Sequence, residues 1–349
     1  MGKQKQGEGI NWTEITWNPL RGCSRQTKAC ESCYAEAVAV RFSGPGQPFE
    51  GLIHPVTKGW NGVIKFFPEK LDEPLRWTRP RMVFVNSVSD LFGATNHEIA
   101  AIFGVMALAG QHTFQTLTKR HKQMRAWFDW IDAEDGKARL PAEKIALCID
   151  ALETYLPGAA KGRTIPTEWP LPNVWLGVTA EDQENANNRV PALLNCDAAV
   201  YWVSAEPLLG PIDFSRWLVK EPGIGASTYQ DNDGLRRCDI TGELLYGLDL
   251  IVTGGESGVN ARAMHPDWPR QIRDACLTNG VKFHFKQWGE FVPGPNHGNP
   301  VLNEKGYAIP SVVISTPGKD DFVRMLRVTK LKAGRLLDGV LHNDAMTEF

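Results

Sequence analysis

Short β-rich apolar runs alternate with helix-like stretches along most of this chain, and that alternation limits the fold more than any other feature. The clearest run spans Arg81 to Asp90. The others are Phe114 to Arg120, Asn173 to Asp182, Ala199 to Glu206, Leu248 to Ser257 and Val281 to Trp288. Each stops at polar residues, as a buried strand does. Helices are expected between them, from His97 to Gly110, His121 to about Ile131, Glu184 to Asn195 and Trp268 to Gly280. The last has Pro269 at its start and Asn279-Gly280 at its end, the positions those residues favour. Strands alternating with helices imply βαβ units and a parallel sheet. With a further strand at Ile15-Thr16-Trp17, the expected fold is an α/β parallel (β/α) barrel, TIM-like and complete or partial.

Three stretches interrupt the alternation, at about 132–172, 219–247 and 292–322. The first holds a charged helix-like piece and a Pro-rich run. The second is rich in Gly, Asp and Asn, with strand character only from Cys238 to Leu245. They read as inserted loops on a single barrel domain spanning 1–349, a size ordinary for an α/β barrel. The chain holds 12 tryptophans. Exposed, they would stack on bases, but Trp127, Trp175, Trp202, Trp217 and Trp268 fall within expected strands and helices or close to them, which favours core packing.

Polar residues collect at the C-terminal end of every expected strand, the end where side chains of a parallel barrel converge on one mouth. They are Asn86, Ser87, Ser89 and Asp90, then Lys119 and Arg120, then Thr179, Glu181 and Asp182. Ser204 and Glu206 follow, then Gly254-Gly255-Glu256-Ser257, and finally Lys286, Gln287 and Trp288. The two glycines would let backbone approach a ligand and present N–H groups to an anion; the plain alternative is a tight turn. Lys119-Arg120 suits a carboxylate or phosphate, or is a solvated pair ahead of a helix.

Net charge is −2, so no global basic field draws the chain to nucleic acid. No apolar run approaches the roughly 20 residues that span a bilayer. The polar N-terminus lacks a signal-peptide core, and Gln6 stands where myristoylation expects Ser or Thr. A cytoplasmic protein with no membrane association is expected. Seven cysteines in a reducing compartment favour free thiols and metal ligation over disulfides.

Three of those cysteines cluster as Cys23, Cys30 and Cys33, a C-x6-C-x2-C spacing followed at once by Tyr34-Ala35-Glu36, while Cys148, Cys196, Cys238 and Cys276 are scattered. Three clustered thiolates without a nearby fourth describe a metal centre with one ligand position open, and open positions are where chemistry occurs. A zinc knuckle would need a distant fourth ligand, and so would a four-cysteine electron-transfer cluster. A 4Fe–4S cluster on three cysteines leaves one iron for a cofactor such as S-adenosylmethionine, whose amino and carboxylate groups suit that iron. The eight histidines show no zinc-hydrolase pairing.

The run Trp12-Thr-Glu-Ile-Thr-Trp-Asn-Pro-Leu-Arg-Gly-Cys23, with Cys33-Tyr-Ala-Glu36, resembles the opening of the phage- and mobile-element-associated three-Cys-motif proteins. The similarity continues through Phe84-Val-Asn-Ser-Val-Ser-Asp-Leu-Phe92, Leu117-Thr-Lys-Arg120, Ser204-Ala-Glu-Pro207, Val252-Thr-Gly-Gly-Glu-Ser-Gly258, His265-Pro-Asp-Trp268 and Phe285-Lys-Gln-Trp288. It covers nearly the whole chain. That family in turn is similar to radical S-adenosylmethionine enzymes, which mostly carry C-x3-C-x2-C, an aromatic just before the third cysteine where Ser32 stands here, and a Gly-Gly-Glu after the second strand. The resemblance implies a radical-SAM-like barrel with Cys23, Cys30 and Cys33 on a 4Fe–4S cluster that reduces S-adenosylmethionine to a 5′-deoxyadenosyl radical. Tyr34, Asn86, Ser87, Asp90, Lys119, Glu181, Gly254, Gly255, Glu256 and Lys286 are then the candidate cofactor or substrate contacts. Implied partners are an electron donor such as flavodoxin or ferredoxin, a phage- or mobile-element-encoded protein, and a nucleic acid or nucleotide substrate. The alternative is a zinc-stabilised, phage-associated binding protein without catalysis.

Overall fold

The computed structural model describes residues 10–218, 228–230, 236–238, 247–296 and 300–346. Seven strands form one sheet: β1 (Ile15–Trp17), β2 (Met82–Val85), β3 (Thr113–Gln115), β4 (Val174–Thr179), β5 (Val200–Ala205), β6 (Leu250–Gly254) and β7 (Lys282–Gln287). They stand side by side in chain order. The pairs β1/β2, β2/β3, β3/β4, β5/β6 and β6/β7 are registered in parallel. Every residue of β4, β5 and β6 is buried, as expected of parallel strands covered on both faces. The expected strands and the mixed α/β class are therefore present. β1 and β7 end the order, so the described strands make an open sheet and not a complete barrel.

Among the described residues six α-helices are eight residues or longer: α1 (Tyr34–Arg41), α2 (Asn96–Leu108), α3 (His121–Asp132), α4 (Pro141–Tyr155), α5 (Gln183–Leu194) and α6 (Asp267–Thr278). The chain divides into two units. The first runs to Val178 and includes Pro191–Tyr201; the second is Thr179–Val190 with Trp202 onward.

In the first unit, Trp17, Phe92, Phe114, Trp127 and Phe128 are fully buried. α3 shows why its sequence is a helix: Met124, Trp127, Phe128 and Ile131 form one buried stripe at helical spacing. α2 is apolar on all sides and buried from Ile99 to Leu108. It packs on α4, which supplies the helix-like piece of the 132–172 stretch.

In the second unit, Trp202, Trp217, Phe283 and Phe285 are buried, and α6 turns Trp268, Ile272 and Cys276 inward. The five tryptophans assigned to the core are at most 5% exposed, so none offers a free stacking face. Most of the 219–247 stretch lies outside the described residues, including nearly all of the strand expected after Cys238; residues 228–230 pair antiparallel with 236–238. The 292–322 stretch contributes to a three-stranded antiparallel sheet of Phe291–Pro293, Val323–Arg327 and Ser311–Ile314. Among the described residues no helix is long and apolar enough to cross a membrane.

Candidate metal centre

The cysteine loop begins where β1 ends. Leu20–Arg21 pairs antiparallel with Lys65–Phe66, and Gly22 then bridges Ser89 beyond the end of β2. Gly22 has φ +97°, and a Cβ there would lie 2.1 Å from the Val63 carbonyl oxygen. Only glycine meets both demands, so the chain enters the loop through a fixed gate. A short 3-10 turn, Lys28–Ser32, follows. Within it Cys30 N donates to Thr27 O at 3.0 Å and Cys33 N to Cys30 O at 3.3 Å.

All three thiols are partly buried and free. The Gln26 backbone N–H points at Cys30 Sγ (3.5 Å). Cys33 is the N-cap of α1, and its side chain makes no cap hydrogen bond. Burial, followed by the Asp90 carboxylate, pushes the Cys23 thiol up to about 12, and burial raises Cys33. Both are protonated at neutral pH without a bound cation, so coordination would release protons.

Arg120 reaches the loop by donating from Nη to Ser24 Oγ at 2.7 Å; its charge and that of Asp90 act on Cys23 in opposite senses, while Lys119 acts weakly on Cys33. Arg25 is aimed by Glu36, which accepts from its Nε at 3.1 Å and from its Nη, and from Trp60 N at 2.9 Å.

The expected contacts in the first unit surround this loop, largely as its fastenings. Tyr34 Oη donates to Ser87 O at 2.6 Å, tying α1 to the end of β2. Asn86, at φ +61°, accepts from Leu20 N at 3.2 Å, and its buried Nδ2 has no partner. Ser87 Oγ donates to Asn18 Oδ1 at 3.1 Å. Asp90 accepts from Thr118 Oγ1 (2.6 Å), Lys119 N (3.0 Å) and Phe92 N (3.2 Å). Burial raises its pKa.

The remaining expected contacts belong to the second unit, where they make their own ion pairs and close packing. Glu181 is 1% exposed and accepts from Arg189 at 2.9 Å. Glu256 is held by Arg262 through its backbone N, Nε and Nη, and Lys286 pairs with Glu206 at 3.2 Å. Gly254 and Gly255 are small because their own chain needs the space. A Cβ at Gly254 would meet Glu206 Oε1 at 2.5 Å, and one at Gly255 would meet Trp288 O at 2.0 Å.

Metal fit can be judged from the sulfur spacing. A zinc ion with Zn–S bonds of about 2.3 Å holds thiolates ~3.8 Å apart. Among the described residues, the group of three metal-ligand atoms lying within 4.8 Å of one another is His265, Asp267 and Asp321, not the cysteines. The thiols as they stand are spread wider than a zinc knuckle. The His265 group has a structural account: Nδ1 accepts from Asp267 N at 3.2 Å and Nε2 lies 2.9 Å from Asp321 O, so backbone occupies both ring nitrogens.

Sequence reasoning missed Arg25 and Glu36 as parts of the site. The signal available was a cation inside the cysteine loop and a carboxylate three residues after its last cysteine.

An open parallel α/β sheet with a three-thiol loop following its first strand defines the class. The chain belongs to the family described as "Protein of unknown function (DUF5131)", whose model matches residues 7–346. No curated protein and no solved structure matches it.

Proposed function

We propose that Cys23, Cys30 and Cys33 hold a 4Fe–4S cluster and that the protein is a radical S-adenosylmethionine-type enzyme. The observation that carries this reading is the gathering of three partly buried free thiols in one loop, into which Arg120 reaches through Ser24 and within which Arg25 is held by Glu36. Such cations suit an anionic centre, whose charge needs compensation once out of water. When bound, the cluster supplies a low-potential electron to the sulfonium of S-adenosylmethionine.

The chain's own residues perform the rest. Gly22 and the 3-10 turn bring the sulfurs to one loop, with Cys33 at the start of α1. Tyr34 locks α1 to the end of β2. Asn86 offers an unpaired buried amide donor beside that lock, suited to an acceptor on a bound cofactor. The phage association implied by the resemblance makes nucleic acid or a nucleotide the substrate class to test first, with a flavodoxin- or ferredoxin-type protein as electron donor.

Anaerobic reconstitution with iron and sulfide tests the reading. Visible iron–sulfur absorbance, about four irons per chain and 5′-deoxyadenosine release under reduction are expected, and Cys30→Ala should abolish all three. One tightly held zinc without that absorbance would favour the non-catalytic binding protein. A cluster that releases no 5′-deoxyadenosine would leave electron transfer.

A further inference from the structure

The strand Ser311–Ile314 lies at one edge of the three-stranded antiparallel sheet, with Val323–Arg327 on its inner side. One bond fixes which backbone groups face inward: Arg327 N donates to Pro310 O at 2.7 Å. Bonded pairs recur at every second residue of an antiparallel ladder. Val312 and Ile314 are therefore bonded to their opposites Met325 and Val323, and Ser311, Val313 and Ser315 turn their N–H and C=O groups outward. Among the described residues those outward groups have no hydrogen-bond partner.

Native proteins blunt such an edge with charge, proline or a bulge, and here none of these is present. From Gly306 to Gly318 the chain carries no charge, and Pro310 and Pro317 flank the strand without interrupting it. Its register to Val323–Arg327 is continuous. Val312 is 41% exposed and Val313 62%. Successive side chains lie on opposite faces, so water reaches both faces of a β-branched strand. An edge of this kind is a template for another strand.

The sequence points to the occupant. Ser311-Val312-Val313-Ile314-Ser315 reads nearly alike in both directions. A two-fold axis at Val313 sets Ser311 against Ser315, Val312 against Ile314 and Val313 against itself. That register also brings the outward groups of Ser311, Val313 and Ser315 opposite one another, and no like charges meet across it. We propose that this edge pairs antiparallel with the same edge of a second copy, joining two three-stranded sheets into one through an isologous contact. The contact is short, so the dimer is in equilibrium with the monomer and depends on concentration.

Sedimentation of the full chain over a wide concentration range tests the proposal, with the mass expected to rise from 38.8 kDa toward twice that value. Val313→Pro removes an outward N–H and spares the bonds to Val323–Arg327; it should weaken self-association roughly tenfold. Cysteine substitution tests the register. In a bonded antiparallel pair the Cα atoms are about 5.5 Å apart, within disulfide reach. Val313→Cys should therefore link two chains on mild oxidation. Val312→Cys, set against Ile314, should link no more than the wild-type cysteines do. A wild-type chain that stays at 38.8 kDa throughout overturns the proposal, as does a dimer that Val313→Pro leaves at wild-type strength. Equal cross-linking through residues 312 and 313 overturns it too, and decides the matter alone if the proline variant does not fold. No iron enters these measurements, so their failure leaves the cluster reading standing.

Discussion

Glu36 shows how one side chain organises the thiol loop. It is 6% exposed and joins three points: α1, the Arg25 guanidinium inside the loop, and the backbone of Trp60. Gly59 lies close beside it: a Cβ there would be 3.2 Å from Glu36 Oε2 and 3.4 Å from Arg25 Nη2, so the pair would have to give by a few tenths of an ångström. Glu36→Ala leaves the Trp60 N–H without its acceptor and Arg25 without its guide. The expected cost is about 1–3 kcal/mol, seen as a lower melting temperature, together with faster loss to a chelator of any iron taken up on reconstitution under the proposed cluster reading. Glu36→Gln keeps an oxygen for Trp60 and should recover most stability while still loosening Arg25. Equal chelator rates in all three proteins would remove Glu36 from the site.

At the scale of elements, the first unit depends on how closely α2 approaches α4. Gly104 is the contact: a Cβ there would lie 2.4 Å from the Cys148 carbonyl oxygen and 3.0 Å from Leu152 Cβ. Because backbone is the obstacle, no rotamer change relieves the clash, and the helices must separate. Gly104→Val should destabilise by about 1–3 kcal/mol or more. By contrast, the capping box of α2 sits at its exposed start, where Thr95 Oγ1 accepts from Glu98 N at 3.3 Å and Glu98 accepts from Thr95 N at 2.9 Å. Thr95→Ala should cost only about 1 kcal/mol. Urea melts of both variants check the order, and a Gly104→Val protein as stable as Thr95→Ala would show that the helices have room.

Across the whole molecule, acid stability turns on buried histidine. Burial, then the charges of Arg335 and Lys286, pushes His284 down to about 3. Arg335 Nη donates to its Nε2 at 3.2 Å, and His342 also bears on it. The unfolded chain binds that proton near pH 6.5, so the native state binds fewer protons between those values. Stability is therefore full above about pH 6.5 and falls as pH drops toward 3, by on the order of 5 kcal/mol if His284 stays neutral throughout. His112 and His342 are lowered by burial in the same sense. The Asp338 carboxylate, held to about 2 by Arg270 and Arg273, acts only at lower pH, from about 4 downward. Melting temperatures at pH 7 and pH 4.5 should differ clearly in wild type and less in His284→Gln. Identical slopes would show that His284 does not carry the effect.

Much of this was legible in the chain itself. The seven strands and the helices α2, α3, α5 and α6 are set by local periodicity, which depends on near neighbours. The three thiols announce themselves by spacing. The glycine pair at 254–255 reads in sequence as a cradle for a ligand, yet its space is filled by Glu206 and the Trp288 carbonyl, neighbours that no local pattern reveals. Lys119 and Arg120 likewise form one basic dipeptide in sequence. In three dimensions Lys119 bears on Cys33 and Arg120 on Cys23. Periodicity and spacing, which are short-range properties, were enough to read the parallel α/β class and to single out the three clustered cysteines from the chain. That the sheet is open and that Arg120 reaches Ser24 in the cysteine loop emerged only on folding, because strand order and such contacts join residues far apart along the chain.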